Sequence, residues 1–314
     1  MVCENISYYS VAVIIPCYNE EVTVAKVVSD FKQVLPGATI YVFDNLSSDD
    51  TANKAKEAGA VVVTSPVKGK GNVVRQAFMD IDTDVYVMVD GDDTYSAESA
   101  PAMVASVVNG HADMVIGDRL SSTYFTENKR LFHNSGNKFV RFFINHTFGV
   151  KYNDIMTGYR AFSRKFVKSY PVLSRGFEIE TEMSIHAADK NLYVTNVICD
   201  YRDRPEGSVS KLNTISDGVK VIFTILRLIR TYKPIRYFGT IAAILFALSI
   251  VFFIPVLIDY DKTGIVDQFP TLIVCGFSAI GGIQSLFTGF ILNSLVTKDK
   301  RDFETTCLQI TSSK

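Results

Sequence analysis

Two uncharged runs late in the chain, Tyr237 to Ile258 and Pro270 to Val296, constrain what it can fold into more than any other feature. Each is longer than the roughly 20 residues a helix needs to cross a bilayer. They concentrate much of the 47% hydrophobic composition and leave an ordinarily polar region ahead of them. The expectation is a transmembrane hairpin over residues 237–298. Arg227, Arg230, Lys233 and Arg236 precede the first run and Lys298, Lys300 and Arg301 follow the second, whereas the link carries Asp259, Asp261 and Asp267 against Lys262. That asymmetry puts both ends and the catalytic region on the cytoplasmic side of the inner or plasma membrane. Residues 213–236 read as amphipathic juxtamembrane helices and 299–314 as a cytoplasmic tail. Gly276, Gly281 and Gly282 allow close helix packing and suggest a homo-oligomer.

The remainder, residues 1–212, is long enough for one substantial core. Its alternation of apolar runs and helical patterns argues for an α/β domain on a mostly parallel sheet. Strands are expected at Ser10–Ile15, halted by Pro16, and at Thr39–Phe43, Gly59–Thr64, Val85–Val89, Asp113–Gly117 and Leu192–Cys199. A helical pattern opens at Cys17 to Glu21 and runs to Val34, and the Ser and Asp residues of Asn45 to Thr51 read as caps for a helix over 52–58. A net charge of −1 argues against a nucleic-acid partner. The five cysteines are scattered without CxxC spacing, so no zinc site or disulfide framework is expected. No cleaved signal segment is apparent at the N-terminus.

The strand at Val85–Val89 runs straight into Asp90-Gly91-Asp92-Asp93. Two carboxylates so close repel each other unless a cation sits between them, and with Mg²⁺ or Mn²⁺ they become hard oxygen ligands able to hold a diphosphate. An acidic turn capping the next helix is the plainer alternative. Parallel topology brings strand ends to one edge, so Tyr18, Glu20, Asp44, Lys70, Asp90 and Asp92 are expected to converge. A ring and carboxylates suit a base and ribose; a lysine and a metal suit phosphates. Taken singly, each of these is also an ordinary polar loop residue.

Pro16-Cys17-Tyr18-Asn19-Glu20-Glu21, Asp44 to Thr51, Lys68-Gly69-Lys70-Gly71 and Asp90-Gly91-Asp92 stand in the order and spacing of glycosyltransferase family 2, and the chain resembles its polyprenyl-phosphate glycosyltransferases. The resemblance implies a GT-A catalytic domain in which Pro16, Tyr18, Glu20 and Asp44 line the nucleotide and Asp90 and Asp92 hold the metal. Asp50, where many members carry Gly, is a departure on an outer turn. The resemblance also implies inverting transfer of a hexose from a nucleotide diphosphate sugar to polyprenyl (undecaprenyl) phosphate. UDP-glucose or UDP-N-acetylglucosamine is expected as donor, with GDP-mannose behind. A tetramer is the implied oligomer. The rivals are a processive polysaccharide synthase, disfavoured by the absence of Trp, and a non-catalytic nucleotide-sugar-binding membrane protein.

On the acceptor side, Arg119 at a strand end is a candidate for the lipid phosphate, with Arg130 beside it. The stretch Asn128–Val150 reads as a basic amphipathic helix, lying on a membrane or packed as core. Asp154-Ile155-Met156-Thr157-Gly158-Tyr159-Arg160 resembles a family element whose Asp is assigned to the acceptor. A phosphate monoester with a second pKa of about 6 needs little deprotonation, so Asp154 is expected to orient rather than act as a base. Glu178 or Glu180 is expected either to contact sugar hydroxyls or merely to complement a helix dipole. The segment Tyr201–Lys211 reads as a cationic loop closing on a diphosphate. By resemblance Arg204, Ser208 and Lys211 are its phosphate contacts.

Overall fold

The computed structural model describes residues 8–121, 131–176, 178–203 and 226–312. It divides into two compact units, Met1–Val221 with Thr306–Lys314, and Ile222–Thr305.

The first unit is built on a seven-stranded sheet in the order β3-β2-β1-β4-β6-β5-β7. Its strands are β1 Val11–Cys17, β2 Thr39–Asp44, β3 Val61–Thr64, β4 Val85–Met88, β5 Met114–Asp118, β6 Arg160–Ser163 and β7 Val194–Ile198. The helices between them are α1 Val24–Val34, α2 Thr51–Glu57, α3 Lys70–Asp80, α4 Ala100–Val108, α5 Leu131–Phe148, α6 Arg164–Ser169 and α7 Ile179–Asp189. β1 pairs parallel with β2 and β4, β2 with β3, and β5 with β7. The expected mostly parallel sheet is therefore present, and its core is drawn from Val13, Ile15, Val42, Val85 and Val87 beneath Val24, Val28 and Phe31 of α1.

Three local expectations are corrected. Pro16 does not halt β1, which continues to Cys17 with Pro16 opposite Phe43. Pro16 shares the parity of Ile14, whose carbonyl accepts from Val89 N at 3.1 Å on the β4 side. Because β4 ends at Met88, the donor that proline lacks falls where no ladder remains. Helix α1 begins at Val24 rather than at Cys17, since Asn19 takes a left-handed φ of 54° and the chain turns before it can wind. The third is β6, absent from the sequence expectation, which runs antiparallel between β4 and β5.

β6 explains a buried arginine. Arg160 is fully buried, and its guanidinium donates to Ile155 O (2.6 Å), Thr157 O (3.1 Å) and Ser184 Oγ (3.0 Å). A strand residue thus serves as the internal strut of the 154–157 loop, each guanidinium nitrogen meeting an oxygen and Nη1 also donating to Met114 Sδ at 3.3 Å. Burial lowers its pKa, and Glu180 and Asp154 counter that. In α5, Val140 and Ile144 are buried, Phe142 is exposed, and Arg141 donates to Asn153 O at 3.1 Å, so part of this helix packs as core.

The second unit contains α8, Pro234–Thr263, and the first part of α9, Phe269–Ser312. Both are long and apolar enough to cross a membrane, and only 11% and 17% of their most apolar windows are buried, which does not fit core helices of a soluble protein. They form a hairpin: Ser249 Oγ donates to Cys275 O (2.9 Å) and Ser285 Oγ to Phe238 O (2.8 Å). Gly282 lies against Phe246 and Gly289 against Phe238, so these glycines serve packing inside the hairpin, while Gly276 meets nothing.

Glycine is obligatory at Gly71, where an added Cβ would sit 2.7 Å from the Ser174 carbonyl carbon. Gly71→Ala is expected to destabilise the catalytic unit by about 1–3 kcal/mol through overpacking; a melting temperature equal to wild type in detergent would show that this backbone contact is absent.

Candidate active site

The carboxyl ends of β1, β2 and β4 lie in register, with Cys17 opposite Asp44 and Ile14 opposite Met88. Burial pushes the Cys17 thiol well above its ordinary range, and the charges of Glu20, Asp44, Asp90 and Asp92 add to the shift in that order. Gly91 lies so close to this thiol that a side chain there would collide with it, and Gly91 O accepts from Thr23 Oγ1 at 2.7 Å.

The loop after β2 caps α2 through Asp49 Oδ1, which accepts from Thr51 N at 3.1 Å, and does a second task besides. Asp50, at the N-cap of α2, makes no side-chain cap bond. Ser47 Oγ accepts from Asn19 N (2.9 Å), Thr51 Oγ1 from Glu20 N (2.9 Å) and Asp49 Oδ2 from Glu21 N (3.2 Å). The two loops brace each other and fix the positions of Tyr18 and Glu20. Asp44 is buried, with Oδ2 accepting from Ser47 N at 3.3 Å and Oδ1 without a hydrogen-bond partner among the described residues. An unanswered buried carboxylate oxygen beside a half-exposed ring suits a ribose hydroxyl or a base N–H.

Asn45, not singled out in the sequence, holds the Lys68–Gly71 loop. It donates to Ser65 O (3.1 Å) and Val67 O (2.8 Å) and accepts from Gly69 N (2.8 Å). Lys68 lies 5.2 Å over the Tyr18 ring. Lys70 turns inward and bridges Asp90 Oδ1 and Glu180 Oε1, the latter at 2.6 Å. Burial works to lower its pKa, but Asp90 and Glu180 outweigh that and hold the ammonium charged. Glu180 is therefore part of the site through Lys70 rather than a mere dipole partner, Glu178 stands at the N-cap of α7 without a side-chain cap bond, and Glu182 accepts from Ser174 N at 2.8 Å.

Beyond the acidic turn, Asp92 Oδ1 accepts from Thr94 Oγ1 at 2.6 Å. Asp90 packs on Gly158, where an added Cβ would lie 2.8 Å from its Cγ, so the acceptor element touches the acidic turn. Arg119 donates to Asp154 Oδ2 (2.7 Å), Tyr95 Oη (3.3 Å) and Met156 O (3.3 Å), and lies 5.7 Å over the Tyr201 ring. Asp154 is fully buried. Tyr95, which carried no sequence signal, also accepts from Gly158 N at 3.2 Å and joins the two halves of the edge. Arg202 N donates to Thr94 O at 2.9 Å, so the cationic segment starts beside the acidic turn. Arg130, Arg204, Ser208 and Lys211 lie outside the described residues.

Among the described residues no three His, Cys, Asp or Glu side chains cluster closely enough to cage a metal. Asp90 and Asp92 nonetheless suit Mg²⁺ or Mn²⁺, which typically take one or two protein carboxylates and complete their shell with water and substrate phosphates.

Acidic and basic groups gathered at the carboxyl edge of such a sheet define an α/β enzyme that handles a nucleotide or phosphorylated ligand. The model of glycosyl transferase family 2 matches residues 12–170, and the chain belongs to that family; it is a glycosyltransferase with a GT-A-like fold. It is 36% identical to glycosyltransferase AglJ of Haloferax volcanii over 74% of this chain and 76% of that protein. It is 27% identical to the dolichyl-phosphate hexose transferase of the same organism, over 68% and 92% of the two chains. Glucosyl-3-phosphoglycerate synthase of Mycobacterium tuberculosis, in complex with Mn²⁺, UDP-glucose and phosphoglyceric acid, has the same fold at 21% identity, with a TM-score of 0.55 over 70% and 79%.

The Arg119–Asp154 pair is nearly dry, so Asp154→Ala leaves a guanidinium without its counter-ion. The expected loss is about 3 kcal/mol, with Asp154→Asn costing less because an acceptor oxygen remains; equal melting temperatures for both variants and wild type would contradict this.

Proposed function

We propose that this glycosyltransferase moves a hexose from a nucleoside diphosphate sugar to a polyprenyl phosphate at the cytoplasmic membrane face, with inversion. The observation that carries this reading is that β1, β2 and β4 end in register at one edge, with Cys17 opposite Asp44 and with Asp90, just past β4, paired to Lys70. In the proposed complex, Pro16, Tyr18, Glu20 and Asp44 line the nucleoside, and Asp90 and Asp92 hold Mg²⁺ or Mn²⁺. The bound cation would offset charge on the leaving diphosphate, making a carboxylic acid for the leaving group unnecessary. A solved relative of this fold is a complex with Mn²⁺ and UDP-glucose, which makes UDP-glucose the first donor to test, followed by UDP-N-acetylglucosamine and GDP-mannose.

Arg119 is the proposed contact for the acceptor phosphate. Its guanidinium is already held by Asp154 and Tyr95, so little orientational freedom is left to lose when an anion arrives. Asp154, committed to Arg119, acts by positioning rather than by taking a proton. Arg130 on the acceptor side, and Arg204, Ser208 and Lys211 on the diphosphate side, complete the proposal from sequence alone. The lipid acceptor is supported by the apolar hairpin and by the relative named as a dolichyl-phosphate hexose transferase. The basic residues flanking both apolar runs support a cytoplasmic catalytic domain, and resemblance supports a homo-oligomer.

Membranes containing the protein, given labelled UDP-glucose, UDP-N-acetylglucosamine or GDP-mannose with undecaprenyl phosphate, should yield a chloroform-soluble labelled product from one of them. Asp92→Asn should reduce that product at least about 100-fold. Absence of product with every donor, or full activity in Asp92→Asn, would overturn the reading.

A further inference from the structure

We infer that Lys70 is a tethered counter-ion which occupies Asp90 in the empty enzyme and yields it only when a diphosphate arrives, so that metal and nucleotide bind as a coupled pair. This rests on the proposed metal–diphosphate role of Asp90 and Asp92.

The geometry is that of one ammonium between two carboxylates from distant elements. Lys70 stands at the start of α3, Asp90 follows β4, and Glu180 lies in the first turn of α7. The side chains of Lys70 and Glu180 are 8% and 6% exposed, whereas that of Asp90 is 28% exposed. The inner pair is thus shielded and the outer carboxylate faces an opening. The tether is firm at both ends. Gly69 and Gly71 press against the backbone of Ser174 and Arg175, and Glu182 holds Ser174 N, fixing the Lys70 backbone relative to α7.

Asp90 Oδ1 spends lone-pair capacity on Lys70, and the carboxylate is packed against Gly158. A divalent cation seeking Asp90 must compete with a cation that is already there and cannot diffuse away. The nearly dry Glu180 holds the ammonium in place, so the ammonium leaves the more open Asp90 only if another anion takes its place as partner. A nucleoside diphosphate does so. Its oxygens offer the ammonium, which has three donors, another acceptor while Glu180 keeps hold of it, and Asp90 is released to the metal that accompanies the phosphates. Among the described residues no third His, Cys, Asp or Glu joins the pair closely enough to cage a metal, so substrate phosphates would have to complete its shell. By linkage, the nucleotide raises metal affinity and the metal raises nucleotide affinity by the same factor. Glu180 is a positioning residue in this scheme, acting through Lys70.

The test is Mn²⁺ binding to the full-length protein in detergent, read from the free-Mn²⁺ electron paramagnetic resonance signal with and without UDP, so no turnover is needed. Wild type should bind Mn²⁺ at least about tenfold more tightly with UDP. Lys70→Gln should tighten Mn²⁺ binding without UDP by about tenfold and shrink the gain from UDP to a few-fold. Glu180→Gln, which leaves Lys70 with Asp90 alone, should weaken Mn²⁺ binding without UDP and preserve the gain. A merely structural role would weaken binding in both variants and both states, and that result overturns the inference, as does an unchanged gain from UDP in Lys70→Gln. Asp92→Asn separates the two levels. If it binds Mn²⁺ with UDP as wild type does, the metal site itself is wrong and the coupling falls with it; if it loses Mn²⁺ while Lys70→Gln behaves as wild type, only the coupling is wrong.

Discussion

Like charge crowded at one sheet edge is the constraint from which the rest of the catalytic unit follows. Glu20, Asp44, Asp90 and Asp92 all bear on the Cys17 thiol, and Glu180 approaches from α7. Water does not reach much of this edge, so mutual repulsion has to be met by internal cations and hydrogen-bond donors. Lys70 answers Asp90 and Glu180, Thr94 answers Asp92, and backbone N–H groups of the loops answer Asp44 and Asp49. Glycine recurs at Gly71, Gly91 and Gly158 because the Ser174–Arg175 backbone, the Cys17 thiol and the Asp90 carboxylate, respectively, press against them. The short antiparallel β6 belongs to the same solution, since Arg160 on it fastens the loop that presents Asp154 to Arg119.

Much of this was legible in the sequence. Apolar β-branched runs marked β1, β2 and β4, the latter two ending at an acid, and parallel topology then predicted that their ends meet. What escaped was set by tertiary contacts. Arg160–Ser163 has no alternating pattern, begins with a charged residue, and becomes a strand only because β4 and β5 flank it. The Ser and Asp residues after β2 have the composition of helix caps, and Asp49 does accept from Thr51 N at the start of α2, but Ser47 and Asp49 also take the backbone of residues 19 and 21 across the edge. Tyr95 lies in no quoted motif and Asn45 lies in one without a role of its own, and their importance comes from which loops they reach. The pairing of Lys70 with Glu180 joins residues far apart in sequence, and no spacing rule anticipates it.

The apolar unit obeys a separate physics. Its two helices satisfy their own backbones and expose most of their apolar surface, a state suited to lipid. Two serine-to-carbonyl bonds and the glycines facing phenylalanines fasten the hairpin without any charge. In the proposed function, the catalytic edge works on a substrate whose tail remains in that lipid. Positioning of the acceptor phosphate, rather than proton abstraction, is then the task left to Arg119 and its partners.

The most direct test of the central claim is an anomalous difference map from crystals of the protein grown with Mn²⁺ and UDP. The account predicts a manganese peak in direct contact with carboxylate oxygens of the Asp90–Asp92 turn and with the diphosphate, with Lys70 moved from Asp90 to a phosphate oxygen while still bonded to Glu180. A nucleotide bound elsewhere, or a peak with no contact to Asp90 or Asp92, would contradict it.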